Sequence, residues 1–255
     1  MTVKTAPQPL PTAADAFAAL QAVADPVRAA GAARYFKTGP GGYGEGDRFI
    51  GVTAPQLHKL SRDFRTIALD QAEILLGDPV HEARSLALLI LVIRYEKGDA
   101  AERQRVFDLY LKNLDRVDNW DLVDSSAAYI VGPHLLARDR ALLDELAVSP
   151  VVWRRRVAVL ATWHFIRVGE LAPTLALCDR LMGDKHDLIH KACGWMLREA
   201  MKRDRTLVED WLIARAGRVP RTALRYAIER LEPDRRKWHL ALRPPRPAGG
   251  SAAQS

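Results

Sequence analysis

Glu82-Ala83-Arg84-Ser85-Leu86-Ala87 reads as an amphipathic helix opened by the marker Asp78-Pro79. Similar segments follow Asp115-Arg116, Ser149-Pro150, Asp184-Lys185 and Gly217-Arg218, so the markers step by 37, 34, 35 and 33 residues. The segments run from Trp120 to Tyr129, then Trp153-Arg154-Arg155-Arg156-Val157-Ala158, Ile189-His190-Lys191-Ala192-Cys193-Gly194-Trp195 and Thr222-Ala223-Leu224-Arg225-Tyr226-Ala227. Second helices lie between them, such as Ala101 to Leu111 and Ala141 to Leu146. A helix pair about every 35 residues marks an α-solenoid of HEAT or TPR type. The TPR consensus is absent. The expected fold is therefore all-α, a HEAT-like helical repeat solenoid (an α-superhelix) with a concave basic groove.

In such a fold one helix of each pair lines the concave side, and equivalent positions form a stripe. Here the stripe would hold Arg84, the run Arg154, Arg155 and Arg156, the pair His190 and Lys191, and Arg221 and Arg225. A concave basic stripe fits a nucleic-acid backbone. Taken singly, each of these side chains is read more simply as part of a solvated face. Recurrence in register is what favours the stripe.

Outward from the repeats the chain is also helical. Residues 1–12 read as a loose tail, and Thr12 can cap a helix from Ala13 to Ala24 with Asp15 in its first turn. Asp25-Pro26 starts a short helix carrying Arg34, Tyr35, Phe36 and Lys37. The segment 38–47 holds five glycines, which excludes a helix interior. A flexible surface loop is the simpler reading. A short hairpin, or a loop whose N–H groups meet phosphate, is the sharper one. Thr53 is the next cap, before Leu57, Leu60 and Phe64 at core spacing. The last repeat helix ends near Leu231-Glu232-Pro233. A basic stretch with Trp238 runs to Leu242, and residues 243–255 read as disordered. One repeat domain over 13–242 is expected.

The composition sets bounds. The 255 residues are 48% hydrophobic, enough for a sizeable core, and carry a formal charge of +7. That charge points to an acidic partner. Cys178 and Cys193 form no CxxC pair and read as buried thiols in a reducing compartment. Neither a signal peptide nor an apolar run of the roughly 20 residues a membrane span needs is evident. A soluble, cytoplasmic, nucleoid-associated monomer is expected, with no membrane partner.

Trp120 and Asp124 are the first candidates for chemistry. Four residues apart on a helix, they share one face. An indole plane beside an anion can hold a cation. The plainer alternative is a core Trp and an Asp paired to the next repeat's arginine. Trp153 with Arg156, and Lys191 with Trp195, repeat the aromatic–charge pairing in the next two units. Asp118, Asp121 and Asp124 fan around a helix and do not converge on a metal. His186 and His190 have ligand spacing without a third ligand. No metal or cofactor is expected. A Gly-x-Ser-x-Gly elbow is also missing.

Five stretches then carry a resemblance: Ala33-Arg34-Tyr35-Phe36-Lys37, Phe49-Ile50-Gly51-Val52-Thr53, Asn119-Trp120-Asp121-Leu122-Val123-Asp124, Trp153-Arg154-Arg155-Arg156-Val157-Ala158, and Lys191-Ala192-Cys193-Gly194-Trp195-Met196-Leu197-Arg198-Glu199. With these the chain resembles the AlkD-type DNA alkylation repair proteins, the HEAT-like-repeat DNA glycosylases. The resemblance implies excision of N3- and N7-alkylpurines from duplex DNA in base excision repair. By matching, it implies Asp124 as the catalytic carboxylate, Trp120 and Trp195 as aromatic partners, and Arg156 or Arg155 as the assisting arginine. DNA contacts are expected at Arg84, Arg154, Arg155, His190, Lys191, Arg221, Arg225, Lys37 and Tyr43. The segment 38–47 departs from the shorter loop of better-known members. Two other functions stay open: a non-catalytic binder of damaged or branched DNA, and a protein-binding HEAT scaffold.

Overall fold

A computed structural model describes residues 10–242. The tail expected at 243–255 and most of that at 1–12 lie outside the described residues. Fifteen α-helices and one 3-10 turn follow one another among the described residues, with no strand. The helical-repeat class read from the sequence is the class observed. Two compact units divide the chain, one through Arg138 and one from Asp139. No helix among the described residues is long and apolar enough to cross a membrane.

The first unit holds α1 (Ala13–Ala22), α2 (Pro26–Tyr35), α3 (Ala54–Asp63), α4 (Leu69–Leu76), α5 (His81–Lys97), α6 (Ala100–Lys112), α7 (Trp120–Asp124) and α8 (Ala127–Leu135). Local chemistry sets their starts. Thr12 and Asp15 form a capping box at α1. The Asp25 carboxylate accepts from Val27 N and Arg28 N ahead of Pro26 at α2. Gln56 Oε1 accepts from both Thr53 N and Thr53 Oγ1 at α3. The α5 helix is the centre of the unit and touches α1, α3, α4, α6, α7 and α8. Every residue from 81 to 92 is buried. A helix enclosed on all sides is apolar on all sides, and Leu86 to Val92 meets that condition. The buried His81, Glu82, Arg84 and Ser85 at its first turn do not. Burying such groups is costly unless each is paired.

Two local expectations change. The segment Trp120 to Tyr129 is two helices, not one. Ser125 Oγ and Ser126 Oγ both donate to Leu122 O, at 3.3 and 2.5 Å, and compete with the helical ladder. Ser126 is also held by the buried Tyr110 hydroxyl at 3.0 Å. Asp124 thus becomes the last residue of α7. The glycine-rich segment 38–47, expected as a flexible surface loop, folds through turns against the start of α7. Gly44 is buried there, where a Cβ would lie 2.4 Å from Phe36 O and 3.2 Å from Asn119 Nδ2. The glycines serve close approach between backbones.

The second unit holds α9 (Ala141–Ala147), α10 (Val152–Arg167), α11 (Ala172–Arg180), α12 (Asp187–Met201), α13 (Arg205–Ala214), α14 (Arg221–Ala227) and α15 (Pro233–Ala241). Helices α10, α12 and α14 pack in succession, with α9, α11 and α13 against them. Both cysteines are buried thiols. Trp153 is buried in the core rather than presented to a groove. At Gly194 the α12 and α14 backbones nearly touch, and a Cβ would lie 2.4 Å from Ala223 O and 2.5 Å from Tyr226 Cβ. Gly194→Ala gains at most about 1 kcal/mol of helix propensity. Forcing α14 away costs about 1–3 kcal/mol. A net loss, read as a lower urea midpoint, is expected. An unchanged midpoint would show that α14 retreats freely.

Candidate functional site at the Trp120–Asp124 helix

The helix α7 is only five residues long, too short to be stable by itself. Its position comes from the groups around it. Trp120 is half-buried, and its ring stacks on Phe36 with centroids 5.2 Å apart. Phe36 stacks on Phe49 at 4.8 Å, and Phe49 stacks on the His81 imidazole at 4.4 Å. Tyr35 meets the indole edge-on at 5.9 Å. The Trp120 Nε1–H donates to the Tyr43 hydroxyl at 3.3 Å, and that hydroxyl donates to Tyr35 O at 3.1 Å. Tyr43, expected to contact DNA, therefore supports the indole from within. Lys37 lies 5.6 Å above the Tyr43 ring and is exposed.

Beneath this column is a polar frame. The His81 side chain, only 3% exposed, lies between two carboxylates. Its Nδ1 is 2.7 Å from Asp47 Oδ2, and its Nε2 is 2.7 Å from Asp121 Oδ2. Asp47 also takes Arg84 Nη2 at 2.6 Å and Asn119 Nδ2 at 3.2 Å. Burial pushes the His81 pKa down, but hydrogen bonds to Asp121 and Asp47 and their charges outweigh it and raise the pKa to about 9. Burial likewise pushes Asp47 up, yet His81 and Arg84 hold it below the usual carboxylate range. Glu82 accepts from Ile50 N, Gly51 N and Val52 N at 2.7–3.2 Å, which fixes the extended segment after Phe49. A cavity of about 230 Å³ opens beside this frame, lined in part by Phe36, Phe49, His81 and Asp121.

Asp124 is half-buried at the end of α7. It acts electrostatically on the Tyr110 hydroxyl. Asp118 and Asp121, which with Asp124 had suggested and then failed a metal reading, engage different partners. Asp118 pairs with Arg84 at 3.1 Å, and Asp121 pairs with His81.

Three arginines of the expected stripe are tied into the protein framework. Arg84 is 5% exposed, and its Nη1 donates to Asp78 O and Pro79 O at 3.3 Å. Arg155 does the same two markers later. Its Nη1 donates to Ser149 O and Pro150 O at 2.8 and 3.0 Å, and its Nε binds Asp184 at 2.6 Å. Each is the fourth residue of its helix, hooked onto its own marker and onto an aspartate ahead of a later helix, Asp118 before α7 and Asp184 before α12. Such arginines fasten the framework. Arg156 is also buried, with Nη1 donating to Leu188 O at 2.6 Å in the first turn of α12.

His190 occupies the same fourth position in α12, and its Nε2 lies 2.7 Å from Asp184 O. His186 instead caps α12, its Nδ1 accepting from Leu188 N. These two histidines serve separate backbone groups. Lys191 pairs with Asp187 at 2.9 Å. Arg221 donates to Leu240 O at 2.8 Å, and Arg225 is exposed. Arg154 and Trp195 are half-buried.

Sequence reasoning did not find the roles of Asp47, His81, Glu82, Phe49 and Asn119. Apart from Phe36 beside Phe49 and Trp120 beside Asn119, their partners lie some 30 to 70 positions away, and no spacing rule reaches that far. Phe36 and Phe49 fall within stretches that carried the resemblance, which was the one available signal.

Comparison with known proteins bears on the family. No curated protein matches. The fold is similar to the solved structure of a predicted DNA alkylation repair enzyme from Enterococcus faecalis, with a TM-score of 0.65 and 19% identity over 82% of this chain and 97% of that one. The family model for DNA alkylation repair enzymes matches residues 16–231, a span that includes both the Asn119–Asp124 and the Lys191–Glu199 motifs. DNA is accordingly the partner and alkylation damage the concern, and the chain belongs to the family of DNA alkylation repair enzymes.

Proposed function

We propose that this protein is a DNA glycosylase that excises cationic N3- and N7-alkylpurines from duplex DNA. The observation that carries the reading is the α7 pair. A half-exposed indole, held from below and from the side, stands one turn from a carboxylate on the same short helix.

An alkylated purine already carries positive charge, so its glycosidic bond is weak. As the C1′–N bond breaks, its electron pair goes to the base and neutralises it. Positive charge then develops on the sugar. The Asp124 carboxylate stabilises that oxocarbenium-like state. It also takes the proton of the water whose oxygen bonds to C1′. The Trp120 face attracts the cationic nucleotide by roughly 0.5–2 kcal/mol. Most glycosylases extrude the base into a deep pocket. Chemistry directed at the sugar of a lesion that is a good leaving group has no need of one. Trp195 is the second aromatic partner by its motif. Arg156 is the assisting arginine by its motif. Lys37, Arg154, His190, Lys191, Arg221 and Arg225 supply backbone contacts, and of these Lys37, Arg221 and Arg225 are exposed.

The test is release of 7-methylguanine from methylated duplex DNA, followed by chromatography of the free base. Enzyme-dependent release is expected. Tight binding of a four-way junction with no release would replace this reading by the non-catalytic one.

A further inference from the structure

We propose that His81 is the positioning residue of α7, a charged pin that joins the segment 38–47 to Asp121 and so fixes where Trp120 and Asp124 stand. This rests on the glycosylase reading given above.

The geometry requires a particular form of the ring. Both imidazole nitrogens face carboxylate oxygens at 2.7 Å, Nδ1 towards Asp47 and Nε2 towards Asp121. A carboxylate only accepts, so each nitrogen must donate. Only the doubly protonated imidazolium donates from both. A neutral ring would set a lone pair against one of the two anions. The remaining charged groups around it are Arg84 and Asp118, which share Asp47's side of the frame, and Glu82, which is turned to the backbone of residues 50–52. Arg28 also lines the cavity. Phe49 covers one face of the ring, and an aromatic face favours a cation.

The connection to the site is short. Asp121 follows Trp120 and precedes Asp124 by three residues in a helix of five. Asp47 also takes the amide of Asn119, the residue that caps α7. Losing the pin would free both the cap and the helix. The folded-state pKa of about 9 lies above the ordinary value of 6.5. The stabilisation is therefore full below pH 6.5 and is lost as pH rises through about 9. At neutral pH the pin is closed.

Two measurements test this. Amide hydrogen exchange of residues 42–47 and 119–125 in the free protein reads the position of α7 without reference to activity. His81→Gln and Asp121→Asn are both expected to speed exchange in both segments at pH 7.5. Wild-type exchange in both variants would overturn the proposal. Single-turnover release of 7-methylguanine reads the consequence. His81→Gln is expected to lower the rate about 100-fold with DNA affinity within about threefold, the effect of misplacing a reacting group by about 1 Å.

Asp121→Asn leaves His81 one anionic partner and lowers its pKa. Its rate should fall about tenfold between pH 6.5 and 8.5, a window in which the wild-type rate is level. A level profile in Asp121→Asn would overturn the proposal even if stability fell. Should wild type release no base, the glycosylase reading fails, while the exchange data still decide whether His81 pins α7.

Discussion

Asp124→Asn is expected to reduce release of 7-methylguanine by about a thousandfold or more while DNA binding persists. The amide matches the carboxylate in size and keeps one acceptor oxygen, so packing at the end of α7 is conserved. What disappears is the negative charge. Removing one well-placed electrostatic stabiliser costs about 10²–10³ in rate. Loss of a general base costs a further 10²–10⁴. The two effects fall on one group and do not multiply in full. Single-turnover kinetics on methylated duplex, with affinity measured in parallel, separate chemistry from binding. Unchanged release would remove Asp124 from its role, and a parallel loss of binding would make it a binding residue.

The second large effect is on stability. Glu82→Ala removes the acceptor shared by three backbone N–H groups, those of Ile50, Gly51 and Val52. The Glu82 side chain sits in a buried setting where water does not readily replace it. Leaving a buried donor unpaired costs about 1–3 kcal/mol each. A loss of about 3–5 kcal/mol is expected, at the severe end for single substitutions. For a chain of this size that is a fall in Tm of roughly 10 °C. Glu82→Gln keeps an oxygen where Oε1 stands, and Oε1 serves all three N–H groups, so its loss should be well under half as large. Equal losses in the two variants would show that charge, and not the acceptor, is what the segment needs. The segment ends at Phe49, which stacks on His81, so the Glu82→Ala variant should also disturb the column under Trp120.

How much of this could be read in advance depended on distance along the chain. The markers at Asp78, Ser149, Asp184 and Gly217 do stand ahead of α5, α10, α12 and α14, because helix starts are local and are written in caps and prolines. Trp120 and Asp124 were legible for the same reason, as neighbours one turn apart. The break after Asp124 was not. It depends on Ser126 choosing the Leu122 carbonyl and the Tyr110 hydroxyl over the helix, and Tyr110 belongs to a different helix. The framework bonds of Arg84, Arg155 and Arg156 were not legible either. Periodicity reports that a position recurs but not which side of the layer it serves, and these recur because they fasten the framework. The glycine-rich segment misled. Its composition suggested freedom, whereas Tyr43, Gly44 and Asp47 each make a contact that only the folded partner reveals.

The recurring hook has a kinetic corollary. Arg84 and Arg155 each reach back five and six residues to their own markers, and His190 reaches back six. Links this short close loops at little entropic expense. A chain knitted mostly by neighbours should acquire its shape quickly. It should also come apart stitch by stitch rather than all at once, with the terminal helices the first to ravel.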